Sequence, residues 1–112
     1  MIYQSAEVEF EKVDDDVLNR AAAVIKCLGH PLRLRLLEAM EFHDRTVTEL
    51  QKYTGVNQAT VSQQLSVLKG HGVVEGRRQG PFMVYRIVEP KVGSILNCIR
   101  GCGSPADRLH DR

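Results

Sequence analysis

Three cysteines are the residues of this chain with the most distinctive chemistry. Cys98 and Cys102 lie four residues apart in ILNCIRGCG near the C-terminus, and Cys27 lies far upstream. Three converging thiolates suit a soft thiophilic ion, whereas a pair of accessible thiols suits oxidation or persulfidation. A third interpretation makes Cys27 a small apolar core residue and Cys102 part of a solvated tail. The spacing alone leaves all three interpretations open.

A zinc site with four ligands is not expected. Three cysteines leave one tetrahedral position without a thiolate. His30 forms a Cys-x-x-His pair with Cys27, but it directly precedes Pro31, where the start of a helix calls for a capping residue. We therefore expect no obligatory cofactor, and a soft metal or metalloid ion only as an effector bound by cysteine thiolates.

A second group of suggestive residues lies in NQATVSQQ at 57–64. Amide and hydroxyl side chains dominate it, and no acidic residue occurs from 57 to 74. Asn and Gln amides match the donor and acceptor of adenine in the major groove, and Ser and Thr hydroxyls bind bases or phosphates. The sequence therefore predicts a surface that reads DNA. Its polar members are Asn57, Gln58, Thr60, Ser62, Gln63 and Gln64.

The elements that must position these residues follow from periodicity, caps and turn residues. Helices are predicted over about 15–28, 31–41, 46–53, 57–69 and 90–100. The segment 73–88 is typical of two strands and a turn, which places Arg77 and Arg78 on a β-hairpin. A short helix, a turn containing Gly55 and a second helix form the helix-turn-helix pattern. Arg77 and Arg78 would then lie on a wing that reaches backbone phosphates or a minor groove.

Two helices also have apolar faces to be assigned. In the helix over 57–69 the predicted packing side comprises Ala59, Val61, Leu65 and Leu68. In the last helix, which Gly101 is expected to end, one stripe comprises Val92, Ile95, Leu96 and Ile99. That stripe is predicted to form a dimer interface, and packing inside one protomer is the alternative.

Composition and charge limit the class of protein. The chain has 112 residues, 43% of them hydrophobic, which suits one domain. Residues 57–88 carry four basic residues against Glu75 alone, a net charge of +3, whereas residues 1–20 carry six acidic residues against two basic ones. No apolar run approaches the roughly 18 residues of a membrane span, and the acidic N-terminus is unlike a signal peptide. We expect a cytoplasmic protein with reduced thiols and no membrane partner.

The segments LGHPLRLRLLEAM and TVTELQKYTGVNQATVSQQLSVLKGHGVVEGRRQGPFMVYRIVEP resemble the ArsR/SmtB family of winged-helix bacterial repressors over about residues 15–100. The resemblance implies a homodimer joined by its first and last helices, which binds an operator and leaves it on sensing a metal ion or a thiol-reactive signal. By position in the motif, base contacts fall on Gln58, Ala59, Ser62 and Gln63, and Thr60 lies near the backbone. Arg77 and Arg78 match the wing.

The chain departs from the sensing sites of that family. Founding metal sensors carry Cys-x-Cys in the third helix, where this chain has RTVTELQK, and others carry Asp and His in the last helix, where EPKVGSILNCIR has neither. Sensors of persulfides or oxidation pair a cysteine of the second helix with one of the last, and here that first position falls near Glu38. Sensors of trivalent arsenic and antimony in the family use three cysteines. Cys27, Cys98 and Cys102 are therefore the candidate effector residues.

The expected architecture is a mainly α winged helix-turn-helix with five helices and a two-stranded wing. Residues 1–13 are expected to be loosely ordered, 14–101 to form the DNA-binding and dimerisation domain, and 102–112 to form a flexible tail. The expected function is a dimeric repressor of a palindromic double-stranded operator, released by trivalent arsenic, antimony or another soft metal ion. The alternatives are a persulfide or redox sensor with a cysteine pair, and a winged-helix interaction module without inducer sensing. No catalytic arrangement is found in the sequence, so an enzyme is not expected.

Overall fold

A computed structural model describes residues 11–103 of the chain. The predicted order of helices and hairpin is confirmed, with one short strand in addition. The elements are α1 (Asp15–Leu28), α2 (Pro31–Met40), β1 (Arg45–Thr46), α3 (Val47–Thr54), α4 (Gln58–Gly70), β2 (Val74–Gln79), β3 (Phe82–Ile87) and α5 (Val92–Cys102). The expectations for residues 1–10 and 104–112 lie outside the described residues.

Local hydrogen bonds explain where the helices begin. His30 caps α2, since its Nδ1 accepts from the backbone N–H of Leu32 at 3.2 Å and Pro31 occupies the first helical position. Thr46 and Glu49 form the predicted capping box of α3. Each cap satisfies amide groups that have no partner within the helix. The helix starts are therefore written into short sequence motifs.

The sheet has three antiparallel strands in the order β1-β3-β2. β2 and β3 form the predicted hairpin, with Val74 opposite Ile87 and Gln79 opposite Phe82. Gly80 closes it with a φ of 61°, a value that two-residue hairpin turns favour at this position. The expectation of a two-stranded wing missed β1, which pairs with β3. Two residues are too short for a strand pattern to be visible in a sequence.

The core lies between α2, α3, α4 and the base of the hairpin. Its fully buried side chains come from all of these elements and from the start of α5. They are Leu36, Leu37, Leu50, Val61, Leu65, Leu68, Val73 and Val92. α4 packs on α2, α3 and β2, so its position is fixed from three sides. α1 contacts this core through its C-terminal turn, where Cys27 and Leu28 are buried.

The last helix differs from its predicted bounds at both ends. It begins at Val92 rather than Pro90 and continues through Gly101 to Cys102, with Gly103 as its C-cap. Glycine inside a helix is unfavourable but does not break it. Arg100, one residue earlier, is paired with Glu41 at the end of α2, and its guanidinium lies 5.9 Å from the centre of the Phe42 ring. Cys102 therefore belongs to α5, and not to a flexible tail.

Within residues 11–103, no helix is both long and apolar enough to cross a membrane.

Candidate nucleic-acid interface

The α3–α4 pair has the geometry that the helix-turn-helix pattern predicts. Gly55 lies between the two helices with a φ of 79°, in the left-handed region that glycine adopts without strain. Leu50 of α3 and Val61 and Leu65 of α4 are buried in the core. One side of α4 is thus held by packing, and the other side is free to contact a ligand.

The free side of α4 presents most of the residues predicted to contact DNA. Asn57, Gln58, Ala59 and Gln63 are exposed, and Thr60 and Ser62 are half-buried. Ala59 was also predicted to pack inward, and that prediction was wrong. It lies two residues from Val61, which on a helix is close to the opposite side. Its exposure agrees with the base-contacting position that the family resemblance implies.

Asn57 has a structural role as well as the predicted contact with DNA. Its side-chain oxygen accepts from the Thr60 backbone N–H at 2.8 Å, which caps α4. The oxygen holds the cap with one of its lone pairs, and the amide N–H groups of Asn57 remain as donors. Since α4 has no acidic residue in its first turn, these groups meet no carboxylate there.

The wing places Arg77 and Arg78 on the exposed end of β2. Arg77 lies 3.7 Å from the Asp44 carboxylate, and Arg86 pairs with Glu75, its partner across the strands, at 2.8 Å. Part of the predicted positive charge is therefore already paired. No ion pair to Arg78 occurs in the part of the chain that the structure describes. The charge of Arg78 is therefore more available to a phosphate than the charge of Arg77.

One contact behind α4 was missed by the sequence argument. Arg33 of α2 donates from Nε to Gln64 Oε1 at 2.7 Å and from Nη1 to the Cys27 backbone oxygen at 2.9 Å. A signal existed, because Arg33 precedes Leu36 by three residues and Leu37 by four, and so shares their buried face. Gln64, which was grouped with the DNA-facing residues, is half-buried and bonded inward.

The cysteines fall into two different environments. Cys27 is only 3% exposed, whereas Cys98 and Cys102 are exposed on α5, one turn apart. Burial raises the pKa of the Cys27 thiol, and the Arg33 guanidinium offsets part of that rise. Among residues 11–103 of one protomer, no three cysteine, histidine or acidic side chains are grouped to hold a metal ion. His30 is occupied as a cap and does not join Cys27 in such a group.

The stripe predicted for the dimer interface divides between core and surface. Val92 and Leu96 are buried inside the protomer, as the core alternative had it, while Ile95 is half-buried and Ile99 is exposed. Ile95 and Ser94 line one wall of a groove of about 790 Å³, and the other wall is α1. α1 itself exposes large apolar side chains, of which Val17 and Ile25 line this groove. Val17, Leu18 and Ile25 are 43%, 51% and 63% exposed.

Comparison with known proteins gives one consistent result. The family model described as "Bacterial regulatory protein, arsR family" matches residues 30–75. The biofilm growth-associated repressor of Xylella fastidiosa is 38% identical over 81 residues, which span 72% of this chain and 71% of that protein.

Two solved structures share the fold. The transcriptional repressor BigR of Xylella fastidiosa superposes with a TM-score of 0.71 at 34% identity, over 83% of this chain and 98% of that one. The homodimeric winged helix-turn-helix DNA-binding domain of Mb0332 from Mycobacterium bovis, described as a possible ArsR-family regulator, gives 0.71 at 28% identity, over 92% and 96%.

Proposed function

The chain belongs to the ArsR family of bacterial transcriptional regulators, and on that premise we propose that it is a homodimeric repressor, controlled at its operator by a thiol-reactive effector. It is a DNA-binding regulator with a winged helix-turn-helix, and not an enzyme. We expect it to act in the bacterial cytoplasm, where the DNA is. The operator contacts, the dimer interface and the effector site are proposals about this chain.

The observation that carries the proposal is the two-sided character of α4. Val61, Leu65 and Leu68 hold one side in the core, while Gln58 and Gln63 are exposed on an acid-free helix. A helix held in this way presents its amides at a fixed angle, as base readout in a major groove requires. The proposed base contacts are Gln58, Ala59, Ser62 and Gln63. Asn57, Thr60, Arg77 and Arg78 are proposed to bind the DNA backbone.

A second copy of the chain is proposed to cover the exposed side of α1. Apolar side chains in contact across an interface give roughly 25 cal/mol of stabilisation per Å² removed from water. The structural relative Mb0332 is described as homodimeric. The proposed interface therefore joins α1 with the part of the α5 stripe that is not buried in the core, the half-buried Ile95 and the exposed Ile99. Two recognition helices related by a two-fold axis would read the two halves of a palindrome.

We propose that the effector acts on Cys98 and Cys102, by oxidation or persulfidation. They are accessible and share one face of α5, whereas Cys27 is buried. On oxidation the two thiols give two protons and two electrons to the oxidant, and one S–S bond forms. Residues one turn apart on a helix have Cβ atoms about 5–6 Å apart, whereas a disulfide needs about 3.5–4.5 Å. Forming the bond would therefore unwind the last turn of α5, which contains Gly101.

Trivalent arsenic, antimony or another soft ion is the second candidate effector. Such an ion would use the same two thiolates and needs a third donor. Within residues 11–103 of one protomer the Cys27 thiol is buried and is not grouped with the other two thiols, so the third donor would come from the partner protomer or from an added thiol. In either case the perturbation falls on α5, beside the proposed interface, and would change the separation of the recognition helices.

The test uses the purified full chain and a duplex that it selects from a random-sequence library. Binding to that duplex should be tighter than to a shuffled duplex and should weaken as salt rises. Arsenite, a persulfide donor and hydrogen peroxide are then added separately, with the Cys98→Ser, Cys102→Ser double variant beside the native chain. We expect the double variant to bind DNA normally and to resist release, while Cys27→Ser serves as the matched control and responds like the native chain.

Two outcomes would contradict the proposal. If every effector released the double variant from DNA completely, Cys98 and Cys102 would not be the sensing residues. Absence of any sequence preference or salt dependence would favour the interaction module instead. Mass spectrometry of the treated chain separates the chemistries, since a disulfide removes two hydrogens, a persulfide adds one sulfur atom and a bound ion adds its own mass.

A further inference from the structure

Arg33 lies where three helices meet, behind the surface proposed to read DNA. It belongs to α2, but its two described hydrogen bonds leave that helix. One goes to the last turn of α1 at Cys27, and the other goes to Gln64 of α4. Within residues 11–103, no other side chain hydrogen-bonds both α1 and α4. The helix of the proposed dimer interface and the recognition helix are therefore joined through one guanidinium.

In both hydrogen bonds of Arg33, the chemistry of the groups determines which one donates and which one accepts. The Cys27 carbonyl is one of the last four of α1, which have no partner inside their own helix, and a cation at this end also meets the negative end of the helix dipole. Guanidinium has only donors, so Gln64 must turn its oxygen toward Arg33. The planar fork of Arg33 spans two acceptors at a defined angle, which the single ammonium of a lysine cannot reproduce.

Gln64 is well placed to determine the rotation of α4 about its axis. It neighbours Val61, Leu65 and Leu68 on the packed side, and Gln63 directly precedes it on the exposed side. Apolar packing alone tolerates small rotations of a helix, whereas a 2.7 Å hydrogen bond from a charged donor is directional. A rotation that breaks this bond also moves Gln63 relative to the DNA.

We propose that Arg33 is a positioning residue for DNA recognition, which sets the orientation of α4 relative to α1 through Gln64 without touching DNA. This inference rests on the proposed function, since it concerns the same reading surface. It also gives a physical connection from the dimer side to the reading side. When the C-terminus of α1 is displaced, the hydrogen bonds of Arg33 to Cys27 and Gln64 transmit the displacement to α4.

The test compares affinity for the duplex selected by the native chain with affinity for its shuffled version. Arg33→Gln should lower the ratio of the two affinities by about tenfold or more, as expected for loss of a hydrogen bond to a charged group. Gln64→Leu, which removes the acceptor, should lower the affinity ratio by a similar factor. The Arg33→Gln, Gln64→Leu double variant should lower it little further. Gln64→Glu keeps an acceptor for Arg33 and should retain most of the ratio. Arg35→Gln, on the exposed side of α2, is the matched control.

A phosphate contact by Arg33 would give a different result from a positioning role. Loss of such a contact lowers the slope of log affinity against log salt by about one on any duplex. We expect that slope on the shuffled duplex to stay unchanged in Arg33→Gln. A reduced slope, or an unchanged affinity ratio in a folded Arg33→Gln variant, would overturn the inference.

The inference and the proposed function fail in distinguishable ways. If the native chain prefers no duplex, the repressor proposal fails, and the Arg33–Gln64 link is then tested by denaturant unfolding. Additive losses for Arg33→Lys and Gln64→Leu would show that the two side chains are not coupled and would overturn the inference. Because Arg33→Lys keeps the positive charge of Arg33, this comparison also serves if Arg33→Gln does not fold.

Discussion

Two sides of the molecule bury their apolar residues in different ways. The reading unit, which comprises α3, α4 and the β2–β3 wing, places Leu50, Val61 and Leu65 completely inside the protomer. The seam side, which comprises α1 and α5, leaves Leu18 and Ile25 in solvent. A single chain can therefore assemble the reading unit, whereas the seam side has exposed apolar surface, which we propose a second copy of the chain covers.

The two sides also differ in how their functional groups are held. On the reading unit, Thr46 and Asn57 cap the helices and Gly55 makes the turn, so the exposed amides stand on a fixed frame. On the seam side, Cys98 and Cys102 lie in the last two turns of α5, whose interior contains Gly101. A reading surface benefits from rigidity, and a sensor benefits from an end that can rearrange. The following predictions test this division.

Leu65→Ala should have the largest effect. Leu65 is almost fully buried, and removing such a side chain from a core costs about 2–5 kcal/mol of unfolding free energy. Denaturant unfolding should give this loss at every protein concentration. Leu18→Ala on the seam side is the comparison, and its smaller loss should depend on protein concentration. If both variants lost the same unfolding free energy at every protein concentration, the two sides would not differ in how their apolar residues are buried.

Ile25→Lys should come next, since it places a charge in the proposed interface. Burial of an isoleucine contributes about 1.5–3 kcal/mol, so each substituted side chain should weaken self-association by roughly tenfold or more. Sedimentation would measure the dimer, and circular dichroism would check that the protomer stays folded. Asn19→Lys, on the opposite face of α1, should leave association intact. A fully dimeric Ile25→Lys protein would place the interface elsewhere.

Gln63→Ala should act on the reading unit alone. Loss of a bidentate base contact costs about 1–3 kcal/mol of specific binding. Titration of the selected and shuffled duplexes should show the loss only for the selected one, with unfolding unchanged. Ser66→Ala, exposed one turn further along α4, is the matched control. The contact assignment fails if Gln63→Ala and Ser66→Ala bind the selected duplex equally.

Arg78→Ala should have the smallest and least selective effect. A wing arginine that binds phosphate contributes equally to all sequences, so affinity should fall for both duplexes and the salt slope should fall by about one. Arg77→Ala should lower the affinity for both duplexes by less, because Arg77 must give up its ion pair with Asp44, at 3.7 Å, before it can bind a phosphate. A loss confined to the selected duplex would instead indicate that the wing reads bases.

Much of the reading unit was predictable because its signals are local. Thr46 and Glu49 specify a helix start within four residues, Gly55 specifies a turn, and Val61, Leu65 and Leu68 follow one helical period. The strand β1 was missed because its two residues become a strand only by pairing with β3. The bounds of α5 were misjudged because Gly101 resembles a helix end, while the helix continues through it.

By itself, the sequence determined the order of the helices and the hairpin, the helix-turn-helix and the polar, acid-free side of α4. These depend on neighbours within one or two helical turns, which a chain displays directly. Only the tertiary structure decided that Cys27 is buried while Cys98 and Cys102 are exposed, that Val92 and Leu96 belong to the protomer core, and that Arg33 joins α1 to Gln64. Each of these depends on how α1, α2, α4 and α5 pack, and contacts between residues distant in sequence leave no periodic trace in it.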